Sequence, residues 1–343
     1  MTDMIIIEEA TGEIGTEPEN RSVETLLTYG IVNIDKVKGP SSHQVSDYVQ
    51  KILGITKAGH SGTLDPAVTG VQPVAIGRAT KVTQFLLKSA KEYICVMHVH
   101  KDLEPSVIKE ALSKFIGKIQ QMPPVKSAVK RQLRTREIYE LEVMEIEKRD
   151  VLFRVKCEAG TYIRALCNDV GKKIGGAHMA CLRRTAAGAF NEDDNLITLD
   201  DLRDALYYYK EKQNEKYIRY CIQPVEHALK YIKKAYIFDS AILSMSHGRD
   251  LGAPGISKLE NFQKGETVAV MTLKGEVVAV GTAEMSAVQI STDRKGLAVK
   301  TSKVFFEATK EDLEKLNKEN QIARAAAEKE DSEKETTEKE NSK

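Results

Sequence analysis

The chain has 343 residues, more than one hydrophobic core usually organises. With 41% hydrophobic and 29% charged residues it reads as a globular protein of two domains with tails, not a fibrous or disulfide-rich one. Its net charge of +1 hides a segregation: residues 1–25 carry seven acids against one arginine and residues 307–343 twelve acids against eight bases, so residues 26–306 hold a surplus of about 11 positive charges that fits either a polyanionic partner or a solvated basic surface.

The acidic residues 1–25 lack a sustained hydrophobic period and predict a loosely held, flexible arm. Met4 to Ile7 is too short for a signal-peptide core, and no apolar run approaches the roughly 18 residues of a membrane span, so no membrane is expected. Gly30 to Asp35 predicts a buried strand, Gly39-Pro40 a turn, and Ser41-Ser42 the capped start of a helix running to Leu53. Lys91 to His100 alternates as a half-buried strand, Ser106 to Phe115 has helical spacing, and Pro123-Pro124 ends that unit. A basic, β-branched stretch from Val125 to Glu147 follows, then a strand over Val151 to Glu158 and a helix over Tyr162 to Ile174. This order predicts an α+β domain over residues 26–234. From Ala235 the rhythm changes to short β-rich runs, Thr267 to Leu273 and Val277 to Thr282, separated by Lys264-Gly265 and Lys274-Gly275; residues 235–306 are expected to form a small β-barrel-like domain, and residues 307–343 a charged, solvated or disordered tail.

Five cysteines, at 95, 157, 167, 181 and 221, form no Cys-x-x-Cys pair, so neither a disulfide framework nor a zinc knuckle is indicated and a reducing, cytoplasmic setting is expected. His98 and His100 lie two apart on one strand face, a spacing that can bind metal, but no third ligand accompanies them; they read as packing, and no metal is expected.

The run His60-Ser61-Gly62-Thr63-Leu64-Asp65-Pro66 fixes a carboxylate on a stiffened loop, because Gly62 permits an unusual turn and Pro66 restricts the exit. Such a carboxylate can be a nucleophile; the same residue types also make ordinary turns. The wider run Ala58 to Val71 resembles the catalytic motif of the bacterial tRNA pseudouridine synthase B family, and more closely its dyskerin branch, the archaeal and eukaryotic enzymes of H/ACA ribonucleoproteins. Other blocks follow in that family's order. Ile34 to His43 resembles its first motif, with Val37 where proline is usual and Ser41 where threonine is usual; Lys91-Glu92-Tyr93 matches its tyrosine motif, Gly160 to Leu166 its arginine motif, and Leu182-Arg183-Arg184 its apolar wall. Gln72 departs from the family's apolar residue.

The resemblance implies a pseudouridine synthase fold with a mixed, largely antiparallel sheet and flanking helices, a C-terminal PUA domain, and isomerisation of uridine in RNA without a cofactor. It implies Asp65 as the nucleophile, attacking the anomeric carbon of the ribose or alternatively the base, with Arg164 pairing to it in a site partly closed to water, Tyr93 stacking on the extruded uracil and assisting removal of the C5 proton, and Leu182 as the wall. Taken singly, Tyr93 reads as a packed strand tyrosine and Arg164 as a surface charge. His60, Lys36, Arg183 and Arg184 are expected to contact RNA, as are Lys126, Lys130, Arg131 and Arg134 on a basic edge that otherwise reads as an exposed charged strand. Within Ser246 to Ile256, the residues His247, Gly248, Arg249, Gly252, Pro254 and Gly255 would hold the ACA element of a guide RNA, their glycines serving equally well as barrel turns.

The expected partners are an H/ACA guide RNA, rRNA and tRNA substrates, and small accessory proteins of the particle; the missing lysine-rich extensions favour an archaeal source. Two other readings stand beside this one: a guide-independent tRNA pseudouridine synthase, and a non-catalytic RNA-binding scaffold.

Overall fold

A computed structural model describes residues 4–123 and 132–315. They form two compact units, one from Ser22 to Tyr231, the other from Ile232 onward together with the residues up to Arg21. Among the described residues no helix is long and apolar enough to cross a membrane.

The arm expected to be loose is part of the second unit. Strand β1 (Met4–Ile6) pairs antiparallel with the strand Ile256–Glu260, and the Ile7 and Glu8 amides both donate to the Ser257 carbonyl, at 2.9 and 3.1 Å. Ile14 is fully buried, Asp239 accepts the Glu13 and Ile14 amides at 2.6 and 3.1 Å, and Arg21 pairs with Glu276 at 3.0 Å. Composition misleads here because three isoleucines, Ile5, Ile7 and Ile14, enter the core while the acids between them stay solvated.

The first unit opens with α1 (Val23–Thr28), capped by Ser22, and β2 (Gly30–Lys36), whose near-complete burial matches its apolar run. Helix α2 (Ser42–Leu53) starts at a Ser41/Gln44 capping box and ends at Gly54, whose φ of 68° only glycine adopts freely. Then come β3 (Ala58–His60), β4 (Thr69–Ile76), α3 (Thr83–Lys88), β5 (Lys91–Val99), α4 (Pro105–Ser113), β6 (Gly117–Gln121), β7 (Arg134–Glu147), β8 (Asp150–Cys157), α5 (Ile163–Ile174) and β9 (Ala177–Ala187). Short strands β10 (Phe190–Asn191) and β11 (Leu196–Ile197), helices α6 (Leu199–Lys212) and α7 (Lys216–Cys221), and β12 (Ile222–Pro224) complete the unit. The sheet runs β11-β2-β4-β9-β5-β8-β7-β6, antiparallel except where β11 meets β2 and β4 meets β9. Thus β9 bridges β4, which follows the Asp65 loop, and β5, which carries Tyr93. Two apolar cores flank it: one holds α2 and α6 against β2 and β4, the other α4 and α5 against β5 and β8.

In the second unit, β13 (Lys233–Ile237), α8 (Asp239–Ser246), β14 (Leu251–Gly252), β15 (Ile256–Glu260), β16 (Thr267–Met271), β17 (Val277–Ala283), α9 (Ala287–Asp293) and β18 (Leu297–Val304) follow one another, in the sheet order β1-β15-β13-β16-β17-β18-β14. The tail expected to be solvated from residue 307 begins folded. Thr309 and Asp312 form a reciprocal cap, and Asp312 also accepts the Gly15 amide at 3.4 Å. The rest of the tail, from residue 316, lies outside the described residues.

Candidate active site

Asp65 projects from the loop between β3 and β4, and buried groups hold that loop from beneath. Lys36, 1% exposed at the end of β2, donates through Nζ to the carbonyls of Val37 (3.0 Å), Pro66 (3.3 Å) and Val68 (2.7 Å). Burial, reinforced by the charge of Arg184, pulls its ammonium below the ordinary lysine value. The Ser42 hydroxyl accepts the Leu64 amide at 2.7 Å and donates to the Leu64 carbonyl at 3.3 Å. Gln72, fully buried on β4, donates to the Ser42 carbonyl at 2.9 Å. The Gly39 amide closes on Pro66 O at 2.8 Å, and the Val68 amide on Asp65 O at 2.9 Å. Residues 64 to 68 are therefore held in one conformation while the Asp65 side chain reaches outward.

Arg164 arrives from the first turn of α5. That helix has no side-chain cap of its own at Tyr162; Gln121, at the end of β6, supplies one, accepting the Tyr162 amide at 2.9 Å and donating to the Tyr162 carbonyl at 3.1 Å. So placed, Arg164 Nη2 lies 2.5 Å from Asp65 Oδ2. The expected ion pair is present, but its setting differs from the expectation of a site partly closed to water: the side chains of Arg164 and Asp65 are 47% and 53% exposed. An ion pair so wet adds little stability, and its consequence is orientation of the carboxylate.

Tyr93 on β5 and Leu182 on β9 are half-buried and pack on the same core. In the β5/β9 pairing Cys95 faces Leu182 and Tyr93 faces Arg184, so Tyr93, Leu182 and Arg184 share one face. Burial raises the Tyr93 pKa, Arg184 pulls it back, and the Asp65 carboxylate adds to the rise, which puts Asp65 within electrostatic reach of the phenol. An aromatic face, an aliphatic wall and an outward carboxylate oriented by a guanidinium can sandwich a planar base and present a nucleophile to the atom it is attached to.

Four models of known families match the chain: "TruB family pseudouridylate synthase (N terminal domain)" over residues 50–163, "tRNA pseudouridylate synthase B C-terminal domain" over 164–230, "PUA domain" over 233–305 and "DKCLD (NUC011) domain" over 6–46. A probable tRNA pseudouridine synthase B of Methanothermobacter thermautotrophicus is 50% identical over 311 residues, spanning 90% of this chain and 96% of the relative. The chain belongs to the TruB family of pseudouridine synthases. The corresponding protein of Pyrococcus furiosus is 50% identical over 87% of this chain and 88% of its own. Among solved structures, this TruB-family enzyme is similar to the crystal structure of a Cbf5–Nop10–Gar1 complex (TM-score 0.85, 48% identity, 89% of this chain and 94% of that one) and to an H/ACA RNP bound to a substrate RNA containing 2′-deoxyuridine (TM-score 0.84, 46% identity, 90% and 95%). It is an RNA pseudouridine synthase with a PUA domain.

Several residues expected to touch RNA in this TruB-family enzyme are committed elsewhere. Lys36 spends its donors on loop carbonyls, as above. Arg184, 1% exposed, lies inside and donates from Nε to Val71 O at 2.7 Å. Arg183 is partly exposed, but its fork grips Asp35 at 2.9 and 3.1 Å and its Nε grips Glu192 at 2.5 Å, tying β9 to β2. A basic residue is usually a surface residue, yet each of these three cations turns toward acceptors that the fold supplies. His60, expected to contact RNA, is half-buried, and burial, with Arg184 behind it, lowers its pKa, which favours a neutral imidazole over a cation. Lys126, Lys130 and Arg131 lie outside the described residues; Arg134 opens β7, half-buried. In the second unit His247, Gly248, Arg249 and Pro254 are exposed, and Gly252 and Gly255 are partly covered.

The histidine pair has company that spacing did not reveal: His178 Nδ1 lies 2.9 Å from His100 Nε2, and Asp150 Oδ1 lies 2.7 Å from His98 Nδ1. These groups are spent on one another, and among the described residues no group of ligands is arranged to hold a metal ion. Ser42, Gln72 and Gln121 were missed as functional residues. Only Gln72 left a signal, as a polar residue inside an apolar strand.

Proposed function

We propose that this chain is the catalytic subunit of an H/ACA guide ribonucleoprotein in the cytoplasm, converting chosen uridines of rRNA, and of tRNA, to pseudouridine without a cofactor. The observation that carries the chemistry is the Arg164–Asp65 contact of 2.5 Å beside Tyr93, on a loop whose backbone is held by buried donors. The particle is supported by the solved relatives, which are complexes of Cbf5 with Nop10 and Gar1 and an H/ACA RNP carrying substrate RNA.

In this reading the target uridine is turned out of its stack between Tyr93 and Leu182. The Asp65 carboxylate forms a bond to the anomeric carbon as the bond to uracil N1 breaks. The base turns, C5 displaces Asp65 from that carbon, C5 loses its proton and N1 gains one, so nothing is consumed. Arg164 aims the carboxylate. The basic edge from Lys126 to Arg134 and the His247–Gly255 segment contact substrate and guide RNA. Small accessory proteins of the particle complete it.

The relatives named tRNA pseudouridine synthase B favour a second reading, direct action on tRNA. Reconstitution with and without guide RNA separates the two. Guide-dependent modification of rRNA supports the first; efficient modification of tRNA by the protein alone supports the second.

A further inference from the structure

Arg184 is a buried cation without an anion. Its guanidinium is fully enclosed, its Nε donates to Val71 O at 2.7 Å, and its Nη2 has no hydrogen-bond partner among the described residues. Enclosing such a charge is costly to folding, and the usual remedy, a facing carboxylate, is absent from its described surroundings.

Its position is nevertheless closely fixed. Gly70 on β4 lies so near β9 that a Cβ there would stand 2.1 Å from Arg184 O, and its φ of 103° is one that glycine alone adopts freely. A Cβ on Gly62, in the Asp65 loop, would stand 3.6 Å from Arg184 Nη1. The guanidinium therefore runs beneath the catalytic loop.

What it meets is set by an irregular register. Lys91 pairs with Ala187 and Glu92 with Ala186, but Tyr93 pairs with Arg184, leaving Thr185 as the extra residue of a β-bulge. Without the bulge Tyr93 would face Thr185. Around Tyr93 the charged and titratable groups are Arg184 from β9, Cys157 from β8 and Asp65 from the loop; around Arg184 they are Tyr93, Lys36, His60 and Lys91. Lys36 and Lys91 repel it and His60 is neutral. Tyr93 is the one group among these four whose negative form the guanidinium would favour.

We propose that Arg184 is a positioning residue for the isomerisation: it anchors the Tyr93 hydroxyl and favours the phenolate that removes the C5 proton after uracil has reattached. This rests on the reading of Asp65 and Tyr93 above. The C5–H electron pair restores the C5–C6 double bond, the proton passes to the phenolate oxygen and from there to solvent, and the proton taken up by N1 balances it. Burial leaves the Tyr93 pKa raised and the Arg184 pKa lowered, but in each the facing group works against burial and toward the charged form, so without Arg184 the phenol would lie higher still.

The test is single-turnover pseudouridine formation against pH in the reconstituted particle, for wild type, Arg184→Met, Arg184→Lys and enzyme with 3,5-difluorotyrosine at position 93, each on ordinary and 5-deuterated uridine. Arg184→Met should slow the reaction about tenfold near neutrality and move the pH inflection up by about one unit. It should also enlarge the isotope effect, with RNA affinity unchanged. Arg184→Lys, which keeps the charge, should do less, and the more acidic fluorinated phenol should shift the inflection down and rescue Arg184→Met. If Arg184→Met fails to fold, the fluorotyrosine enzyme and Arg184→Lys decide. A uniform loss at every pH without a larger isotope effect would overturn the proposal, as would an unshifted profile in the fluorotyrosine enzyme. An Asp65→Asn particle that still forms product would instead overturn the underlying assignment of the nucleophile.

Discussion

Gln72 Nε2 donates to the carbonyl of Ser42 at 2.9 Å, and the Ser42 hydroxyl brackets both backbone polar groups of Leu64, the residue before Asp65. The backbone beside Asp65 is thus positioned from a different strand through a helix N-terminus. Ser42→Ala would leave the buried Leu64 amide without its acceptor, at a cost of about 1–3 kcal/mol. Turnover should fall by roughly the tenfold that about 1.4 kcal/mol of lost positioning implies, with RNA affinity unchanged. Stopped-time product assays beside RNA titrations check this, and equal losses in both would contradict it.

Lys36 makes a sharper case because it was expected to touch RNA. If its ammonium serves only the carbonyls of Val37, Pro66 and Val68, Lys36→Met should destabilise the protein by on the order of 3 kcal/mol. The dependence of RNA binding on salt should stay as it was. Loss of a phosphate contact would instead lower the slope of log K against log salt by about 0.7–0.9.

Lys91 predicts a pH dependence. Burial, aided by the charge of Arg184, lowers its pKa to about 8, even though Nζ donates to Leu86 O, Leu87 O and both oxygens of Ser89. Between about pH 8 and the unfolded lysine value of about 10.4, the unfolded chain holds a proton that the native chain has released, so this group adds stability as pH rises. Below about pH 8 both states are protonated and its contribution is flat. Relative to Lys91→Met, wild type should therefore gain up to about 3 kcal/mol across that window in urea unfolding. A difference independent of pH would contradict the assignment.

The N-terminal segment should behave as core. Ile14→Ala removes a fully buried side chain from the second unit and should cost about 2–5 kcal/mol by calorimetry. A loss under about 0.5 kcal/mol, the behaviour of a surface position, would return these residues to the status of a loose arm.

Linear features were legible in the sequence. Helix α2 declared its start through Ser41, β2 through the apolar Ile31, Val32 and Ile34, and the Asp65 loop through a contiguous motif. What depends on the direction in which a side chain turns was not. Lys36 and Arg184 look like any surface cation until the sheet encloses them, and the acids of residues 4–21 conceal three isoleucines that pack into the core of the second unit. Arg164 and Asp65 are 99 residues apart, and only α5, clamped by Gln121, brings them to 2.5 Å.

The central claim is that Asp65 is the nucleophile. The most direct measurement is tritium release from RNA labelled at C5 of the target uridine, with the particle assembled from wild type or from Asp65→Asn. The variant should bind RNA as wild type does and release no tritium above background, while wild type releases it in step with product. Tritium release by Asp65→Asn at a rate near that of wild type would contradict the account.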